Sequence, residues 1–321
     1  MSKKILIIGG AGYIGSHITH QLNDKGYNTV VFDNLSTGFE DNIDSRSSFI
    51  HGSIFDHLKL DKALKNIDTV IHLAALKNAG ESMESPEKYA KHNIIGSLDL
   101  INLCIKNNIQ NFIFSSSAAV YGNPEYLPLD ESHPVNPINY YGYTKLCIER
   151  NLIWFNKIAN LNISCLRYFN AAGYDIFGRI KCKEKNPANL IPIVMEVACG
   201  QRKKIEVYGN DYDTLDGTCL RDYIHVNDLA SAHELALNYL RKNGNSLIVN
   251  LATGKSFSVM DVINKTQKIS RKKINYQVIG RRYGDPSKLY SKSIKAEELL
   301  GWKPKHSDLN TIIKSTWEIY K

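Results

Sequence analysis

The stretch that decides the fold is "KKILIIGGAGYIG", residues 3–15. In it a short apolar run meets a G-x-x-G-x-x-G spacing made by Gly9, Gly12 and Gly15. An apolar run bounded by glycine predicts a buried strand, and the helical spacing of residues 13–26 predicts a helix directly after it. Glycines at such a turn let the backbone approach a phosphate, and the N–H groups at the helix N-terminus attract anions. The stretch therefore predicts a strand, a phosphate-binding turn and a helix in that order.

Strand patterns and helix patterns alternate through the first half of the chain. Further apolar strand patterns, with helical spacing between them, occur at 28–34, 68–75, 111–117 and 162–170. The longest helical patterns are at 85–108 and 139–160. Such alternation predicts right-handed βαβ units, and hence an α/β fold with a Rossmann-type doubly wound parallel sheet.

The alternation stops after about residue 172, where polar, irregular stretches surround shorter elements. Long loops in compact domains are often functional, so we expect substrate recognition in this part of the chain. The predicted organisation is a dinucleotide-binding Rossmann domain over 1–172, to which about 222–252 return, and a smaller, loop-rich C-terminal domain formed mainly by 173–321 and binding substrate.

Composition and charge exclude several classes of protein. The chain has 321 residues, of which 43% are hydrophobic and 22% charged, as in an ordinary soluble globular protein. Its formal net charge of +8 is dispersed along the sequence. Nucleic-acid binding would need a continuous basic face, so we expect a small phosphate-bearing ligand instead. No segment approaches the ~20 apolar residues of a membrane span, so no membrane association is expected.

The cysteines favour a reducing compartment. None of the six forms a C-x-x-C pair, and several lie inside apolar patterns such as "LINLCI". Buried reduced thiols are the expected state, with no metal site and a cytoplasmic location.

Asp33 is the candidate determinant of the cofactor. It ends the second predicted strand, 18 residues after Gly15. A carboxylate there can accept both hydroxyls of an adenosine ribose and repels a 2′-phosphate, which favours NAD over NADP. The alternative is a turn residue in "FDNLSTG", and NAD remains the predicted cofactor.

A tyrosine and a lysine are spaced one helical turn apart in "YGYTK", residues 141–145. Tyr141 and Lys145 then lie on the same helix face, and a fixed cation would lower the pKa of the phenol toward neutral pH. A surface helix gains only a few tenths of a kcal/mol from such neighbours, so stability alone is a poor explanation. With Ser117 at the end of a strand and a dinucleotide turn nearby in the fold, the pattern predicts a site for hydride transfer.

The chain resembles the extended short-chain dehydrogenase/reductase family, and within it the branch that epimerises UDP-hexoses at C4′. The resemblance covers nearly the whole chain and is carried by "GGAGYIGSH" (9–17), "FSSSAAVYG" (114–122), "YGYTK" (141–145), "LRYFNAAG" (166–173), "GTCLRDYIHV" (217–226) and "GDPS" (284–287). It implies reversible oxidation of the sugar to a 4-keto intermediate by tightly bound NAD, interconverting UDP-glucose and UDP-galactose. Tyr141 would then be the base, Lys145 would hold the nicotinamide ribose, and Ser117 would bond the reacting oxygen.

The resemblance also implies two sets of contacts. The cofactor would contact Gly9, Gly12, Tyr13, Ile14, Gly15, Asp33, Asn34, Ser36, Thr37, Gly38, Ser53, Ile54, Leu73, Ala74, Ala75, Lys77, Ser117, Tyr141, Lys145 and Phe169. The UDP-sugar substrate would contact Ser117, Tyr141, Asn170, Asn189, Leu190, Tyr208, Arg221, Arg282, Asp285 and Leu289. For Arg221 an ion pair with Asp222 is the structural alternative, and for Arg282 a solvated basic stretch.

Two departures from the family pattern bear on ligand binding. Ser53 stands where relatives often have an aspartate that bonds adenine. Leu289 stands where a tyrosine is associated with exclusion of N-acetylated sugars, so we expect UDP-N-acetylglucosamine and UDP-N-acetylgalactosamine to be accepted as well.

Other activities remain as alternatives. A dehydratase on this scaffold would need an acid and a base after the serine, where this chain has Ala118 and Ala119. A decarboxylase has no positive indication, and a non-catalytic NAD-binding protein would not need Ser117, Tyr141 and Lys145 together. Surplus apolar residues in the two long helices, and the pairing of the equivalent helices that the resemblance implies, predict a homodimer.

Overall fold

The computed structural model describes residues 4–282 and 286–321. Its strands are β1 (Lys4–Ile8), β2 (Asn28–Asp33), β3 (Ser48–His51), β4 (Ile67–His72), β5 (Asn111–Ser117), β6 (Asn162–Tyr168), β7 (Asn170–Ala172), β8 (Ile205–Tyr208), β9 (Leu220–Arg221), β10 (Tyr223–His225), β11 (Leu247–Leu251), β12 (Phe257–Ser258), β13 (Tyr276–Ile279) and β14 (Lys288–Leu289). Its α-helices are α1 (Tyr13–Asp24), α2 (His57–Ala63), α3 (Ala79–Glu84), α4 (Pro86–Tyr89), α5 (Gly96–Lys106), α6 (Tyr140–Ala159), α7 (Leu190–Ala198), α8 (Val226–Asn243), α9 (Val259–Ser270), α10 (Ile294–Leu300) and α11 (Leu309–Tyr320). A π-helical segment, Ala90–Ile95, joins α4 to α5.

The centre of the fold is a seven-stranded parallel sheet in the order β11-β6-β5-β4-β1-β2-β3. The chain runs outward from β1 through β2 to β3, then crosses to β4 on the other side of β1 and continues through β5 and β6. This is the predicted Rossmann-type doubly wound sheet, which is confirmed. The reversal of direction creates a crevice beyond the carboxyl ends of β1 and β4, where ligands bind in such sheets.

Strand β1 shows why the sheet is covered on both faces. Ile5 and Ile7 point into one core, shared with α1 and α8, while Leu6 and Ile8 point into a second core, shared with α2, α5 and α6. All four side chains are fully buried. Successive side chains of a strand point to opposite faces, so a continuous apolar run is what a doubly covered strand requires.

Two strands of the sheet lie outside the sequence predictions. β3 and β11 are its edge strands. β3 is only four residues long and half-exposed, so no apolar run marks it. β11 follows α8, and together they return the chain to the first core.

A third core is formed by α7, α9 and α11, together with strand β8. Short strands accompany it in three small sheets, β10-β7, β12-β9-β14 and β13-β8. The division of the chain at residue 172 stays a prediction. Among the described residues, none of the helices combines the length and the apolar character needed to cross a bilayer.

Candidate active site

The glycine turn after β1 is too tightly packed for other residues. Gly9 has a φ of +84°, and a Cβ on it would lie 2.8 Å from the backbone nitrogen of Ala74. A Cβ on Gly15 would lie 2.2 Å from the Gly9 carbonyl oxygen. Gly12 is the N-cap of α1 and no side chain caps the helix there. The turn therefore packs against the residues that follow β4, holds the start of α1 against Gly9, and leaves the helix N-terminus to an anion.

A cavity of about 670 Å³ lies at the carboxyl ends of β1, β2 and β4. Most of the predicted cofactor residues line it, namely Gly9, Gly12, Tyr13, Ile14, Gly15, Asp33, Asn34, Ser36, Thr37, Ser53, Ile54, Leu73, Ala74, Ala75 and Lys77. Gly38, Ser117, Tyr141, Lys145 and Phe169 are not part of that lining. Gly38 instead supports the glycine turn, since a Cβ on it would lie 2.7 Å from the Ala11 backbone.

Asp33 is held rigidly at the end of β2. Its Oδ2 accepts a hydrogen bond from the Ala11 amide (2.9 Å) and its Oδ1 accepts one from the Leu35 amide (2.8 Å). The residue is only 8% exposed. Asp33 therefore acts as a turn residue, which was the alternative considered for it, and it also lines the cavity. Each of its carboxylate oxygens has a lone pair left for a ribose hydroxyl. Ser53 lines the same cavity and accepts a bond from the Phe55 amide through Oγ (3.3 Å).

The three predicted catalytic residues come together where β5 meets α6. The Asn139 side chain caps α6 by accepting a bond from the Gly142 amide (2.9 Å). The Tyr141 hydroxyl is hydrogen-bonded to the Ser117 side chain. Lys145 donates from Nζ to the Ser115 carbonyl oxygen (2.8 Å), which lies two residues before Ser117 on the same strand.

This group lies beside the cavity, next to residues that line it. Tyr168 is one of the lining residues, and its hydroxyl contacts the Ser115 side chain. The Tyr141 amide donates to Ser82 Oγ (3.0 Å), which follows Glu81, another lining residue.

The pKa of Tyr141 is shifted in the direction opposite to the one expected from the sequence. Burial raises the pKa of Tyr141 above its ordinary value of 10, and the hydrogen bond with Ser117 acts in the opposite direction. Burial also lowers the pKa of Lys145 from 10.5 to about 7, against the attraction of Glu149. The Lys145 nitrogen lies 5.9 Å from the centre of the Tyr141 ring. Desolvation disfavours both the phenolate and the ammonium, and it is the largest cause of both shifts.

A segment that sequence reasoning left unassigned, residues 181–188, covers part of the cavity. Its members Glu184, Lys185, Asn186 and Ala188 line the cavity. The Glu184 carboxylate forms an ion pair with Lys77, which follows β4. Lys185 Nζ donates to the carbonyl oxygens of Leu35 (3.2 Å) and Gly38 (3.1 Å), which follow β2. The segment thus connects the two loops that border the cavity.

Asn42 fastens the start of this segment. Its Oδ1 accepts bonds from the amides of Lys181 (3.1 Å) and Cys182 (2.8 Å), and its Nδ2 donates to the Cys182 carbonyl (3.0 Å). Little in the sequence indicated that this segment lies over the cavity, because "GRIKCKEKNPANL" is simply polar and irregular.

Two pairs of the predicted substrate residues lie close together. Arg221 and Leu289 are register partners in the parallel pair β9–β14. The Arg282 guanidinium lies 4.0 Å from the centre of the Tyr208 ring, a cation–π arrangement. Leu289 packs against the apolar cluster that contains Phe169.

The other predicted substrate residues are more dispersed. Asn170 donates from its amide and from Nδ2 to the Asp222 carbonyl oxygen, both at 3.1 Å. Asn189 is the N-cap of α7 and Leu190 its first residue. Asp285 lies outside the described residues.

The Asp222 carboxylate has a structural role. It accepts hydrogen bonds from the amide and hydroxyl of Thr253 and from the Gly254 amide. Burial raises its pKa from 3.8 to about 7 despite these bonds. Within 4–282 and 286–321 no group of three or more histidine, cysteine or acidic side chains is placed to hold a metal ion.

Comparison with known proteins decides the family. A model of the NAD dependent epimerase/dehydratase family matches residues 5–252. The chain belongs to this family. The glycine turn, the fixed Asp33 carboxylate and the cavity between them fit the family's cofactor, and NAD is the cofactor of this protein, as predicted.

Similar proteins extend the match over the whole chain. A UDP-glucose 4-epimerase of Halalkalibacterium halodurans is 44% identical over 99% of this chain and 95% of its own. A crystal structure of UDP-glucose 4-epimerase from Brucella ovis in complex with NAD is 42% identical, with a TM-score of 0.96 over 99% of this chain and 98% of that one. The UDP-Glc/GlcNAc 4-epimerase of Campylobacter jejuni is 38% identical, with a TM-score of 0.87 over 99% of both chains. The predicted resemblance is confirmed.

Proposed function

We propose that the protein epimerises UDP-hexoses at C4′ with NAD, interconverting UDP-glucose and UDP-galactose. The observation that carries this proposal is the group formed by Tyr141, Ser117 and Lys145 beside the cofactor cavity. A phenol, a hydroxyl and a cation are the groups needed to take a proton from an alcohol while its carbon is oxidised. The epimerases to which the chain is similar, in Halalkalibacterium halodurans and Brucella ovis, support the same conclusion.

The chain's own residues handle the proton. Tyr141 takes the proton of the 4′-hydroxyl, and Ser117 bonds the same oxygen as the 4-keto sugar forms. NAD, held by the glycine turn and Asp33, would supply a reversible hydride acceptor for C4′. Lys145 supplies the positive charge that the buried Tyr141 phenolate requires, since burial alone keeps the phenol protonated.

Substrate binding is assigned to the part of the chain after β6. Arg221 and Arg282 are suited to the diphosphate, because a guanidinium fork can bond two phosphate oxygens at once. Tyr208 presents an aromatic face for the uracil, and its contact with Arg282 supports assigning both side chains to one site. Asn170, Asn189, Leu190 and Asp285 complete the proposed set.

Leu289 supports a wider choice of sugar. It is the register partner of Arg221 and contacts the cluster of Phe169 and Ala118, which follows Ser117. Leucine at this position leaves more room than tyrosine would, so N-acetylated UDP-hexoses are accepted as well. We expect Leu289→Tyr to lower kcat/KM for UDP-N-acetylglucosamine by at least about tenfold and to leave UDP-glucose within about twofold. Equal, negligible activity of both proteins on the acetylated pair would exclude the wider specificity.

One assay tests the activity. Purified protein, without added cofactor, is incubated with UDP-glucose or UDP-galactose, and both sugars are quantified by chromatography. We expect interconversion toward one equilibrium ratio from either side, and a loss of about 10³-fold or more in Tyr141→Phe. A Tyr141→Phe variant as fast as its parent would refute the assignment. Loss of water from the sugar would identify a dehydratase instead.

A homodimer and a cytoplasmic location belong to the same proposal. Apolar side chains on α6 and beside α5 are exposed, namely Trp154 (63%), Ile158 (70%) and Ile95 (53%). Exposed apolar residues on neighbouring helices favour association with a second copy. All six cysteines are free thiols, which favours a reducing compartment.

A further inference from the structure

Helix α6 carries a third buried polar residue below the Tyr141–Lys145 pair. Glu149 lies four residues after Lys145, on the same helix face, and is only 1% exposed. Each of the three side chains reaches the end of β5. Tyr141 interacts with the Ser117 side chain, and Lys145 donates to the Ser115 carbonyl oxygen. The hydroxyl of Ser116, which lies between these two positions, donates to Glu149 Oε1.

The Glu149 carboxylate also binds β6. Arg167 donates to it from Nε (2.9 Å to Oε1) and from Nη2 (2.6 Å to Oε2). Ser116 and Arg167 are register partners in β5–β6, so both reach the carboxylate from the same face of the sheet. Arg167 continues to the Tyr121 hydroxyl (3.1 Å). One carboxylate thereby joins the catalytic helix to two adjacent strands.

Stability is a weak explanation for this buried pair. Removing two charges from water costs about as much as their attraction returns, and apolar replacements of such pairs are often as stable. The position of Glu149, one turn from a buried lysine, suggests a role in the reaction instead.

Within the described part of the chain, Glu149 is the carboxylate whose attraction acts on Lys145. Burial lowers the pKa of His72 on β4 to about 3, so this neighbour is neutral. Burial raises the pKa of Tyr168 on β6 above its ordinary value, so this phenol is neutral at pH 7.

We propose that Glu149 is a positioning residue, which fixes the register of Tyr141 and Lys145 on β5 and keeps Lys145 in its ammonium form. The inference rests on the proposed epimerase activity. Glu149 acts through Lys145 and touches neither sugar nor cofactor. Arg167 holds the carboxylate in place and offsets part of its charge.

Removing the charge of Glu149 has a defined consequence. In Glu149→Gln the side chain keeps its size, but Arg167 becomes an uncompensated cation near Lys145. The ammonium of Lys145 is then less stable. As the pH is raised, the activity that depends on this ammonium is therefore lost at a lower pH than in the parent. In Arg167→Gln the effect is opposite, because the full charge of Glu149 acts on Lys145.

The experiment compares the pH profiles of kcat for the parent, Glu149→Gln, Arg167→Gln and the double variant. The alkaline limb is the part of the profile where kcat falls as the pH rises. We expect its midpoint to move to lower pH by about one unit or more in Glu149→Gln and to higher pH in Arg167→Gln. In the double variant the midpoint should return toward the parent value. The KM for UDP-glucose should stay within about twofold of the parent value. Circular dichroism and dinucleotide content establish that each variant is folded.

Three results would overturn the inference: an unchanged limb in Glu149→Gln, a shift of the same sign in both single variants, or a double variant further from the parent than either. If Glu149→Gln does not fold, Arg167→Gln alone decides, since an upward shift supports the inference and an unchanged limb refutes it. A parent without epimerase activity would instead refute the proposed function.

Discussion

Replacing Lys145 by methionine should make the protein more stable while abolishing its activity. Lys145 is 4% exposed, and burial lowers its pKa from 10.5 to about 7. At about 1.4 kcal/mol per pH unit, this difference means that keeping the ammonium charged at neutral pH costs the folded state about 5 kcal/mol. Methionine of similar length removes that cost. It also loses the hydrogen bond to the Ser115 carbonyl and leaves that oxygen unpaired, at about 1–3 kcal/mol. The expected net gain at pH 7 is about 2–4 kcal/mol.

The sign of the pH dependence provides a stricter test. Between pH 7 and 10.5 the unfolded parent binds a proton at Lys145 that the folded parent has lost, so the stability of the parent rises with pH in this window. The advantage of Lys145→Met should therefore be largest at or below pH 7 and should disappear near pH 10. The assay is urea unfolding, followed by fluorescence, at several pH values after removal of bound dinucleotide. Lys157→Met, an exposed position on the same helix, is the matched control and should change stability by less than about 0.5 kcal/mol. A Lys145→Met variant less stable than its parent at pH 7, or an advantage that does not vary with pH, would refute the reasoning.

Three further results are expected. Asn42→Ala removes three hydrogen bonds to residues 181 and 182, so NAD should dissociate about tenfold faster, measured by exchange with labelled NAD; an unchanged rate would mean that the 181–188 segment does not retain the cofactor. Asp33→Asn removes the charge that repels a 2′-phosphate, so the preference for NAD over NADP in titration should fall at least about tenfold, and an unaltered ratio would contradict the assignment of Asp33. Trp154→Glu places a charge on the exposed face of α6, so light scattering should show a monomer where the parent is a dimer; a parent that is already monomeric at micromolar concentration would exclude the proposed dimer.

The sequence by itself was sufficient where the information is local. Gly9 is required by its positive φ and Gly15 by a contact within the same turn, and the apolar run of β1 specifies a strand buried on both faces. Asp33 follows from its position at the end of the next strand. The spacing of Tyr141 and Lys145 fixes their common helix face before any tertiary contact is known. From these patterns the fold class and the cofactor could be predicted correctly, and the resemblance carried by further motifs such as "LRYFNAAG" and "GTCLRDYIHV" added the family.

Tertiary structure decided what depends on residues distant in sequence. The direction of the pKa of Tyr141 follows from burial by β5, β6 and their neighbours, and sequence spacing contains no measure of burial. The ion pair of Lys77 with Glu184 joins positions 107 residues apart. The hydrogen bonds of Arg167 to Glu149 require β6 to lie beside α6. The edge strand β3 pairs with a neighbour on one side only and has no apolar run of its own. Local spacing sets which side chains share a face, whereas only the packed chain sets how much water and charge surround them.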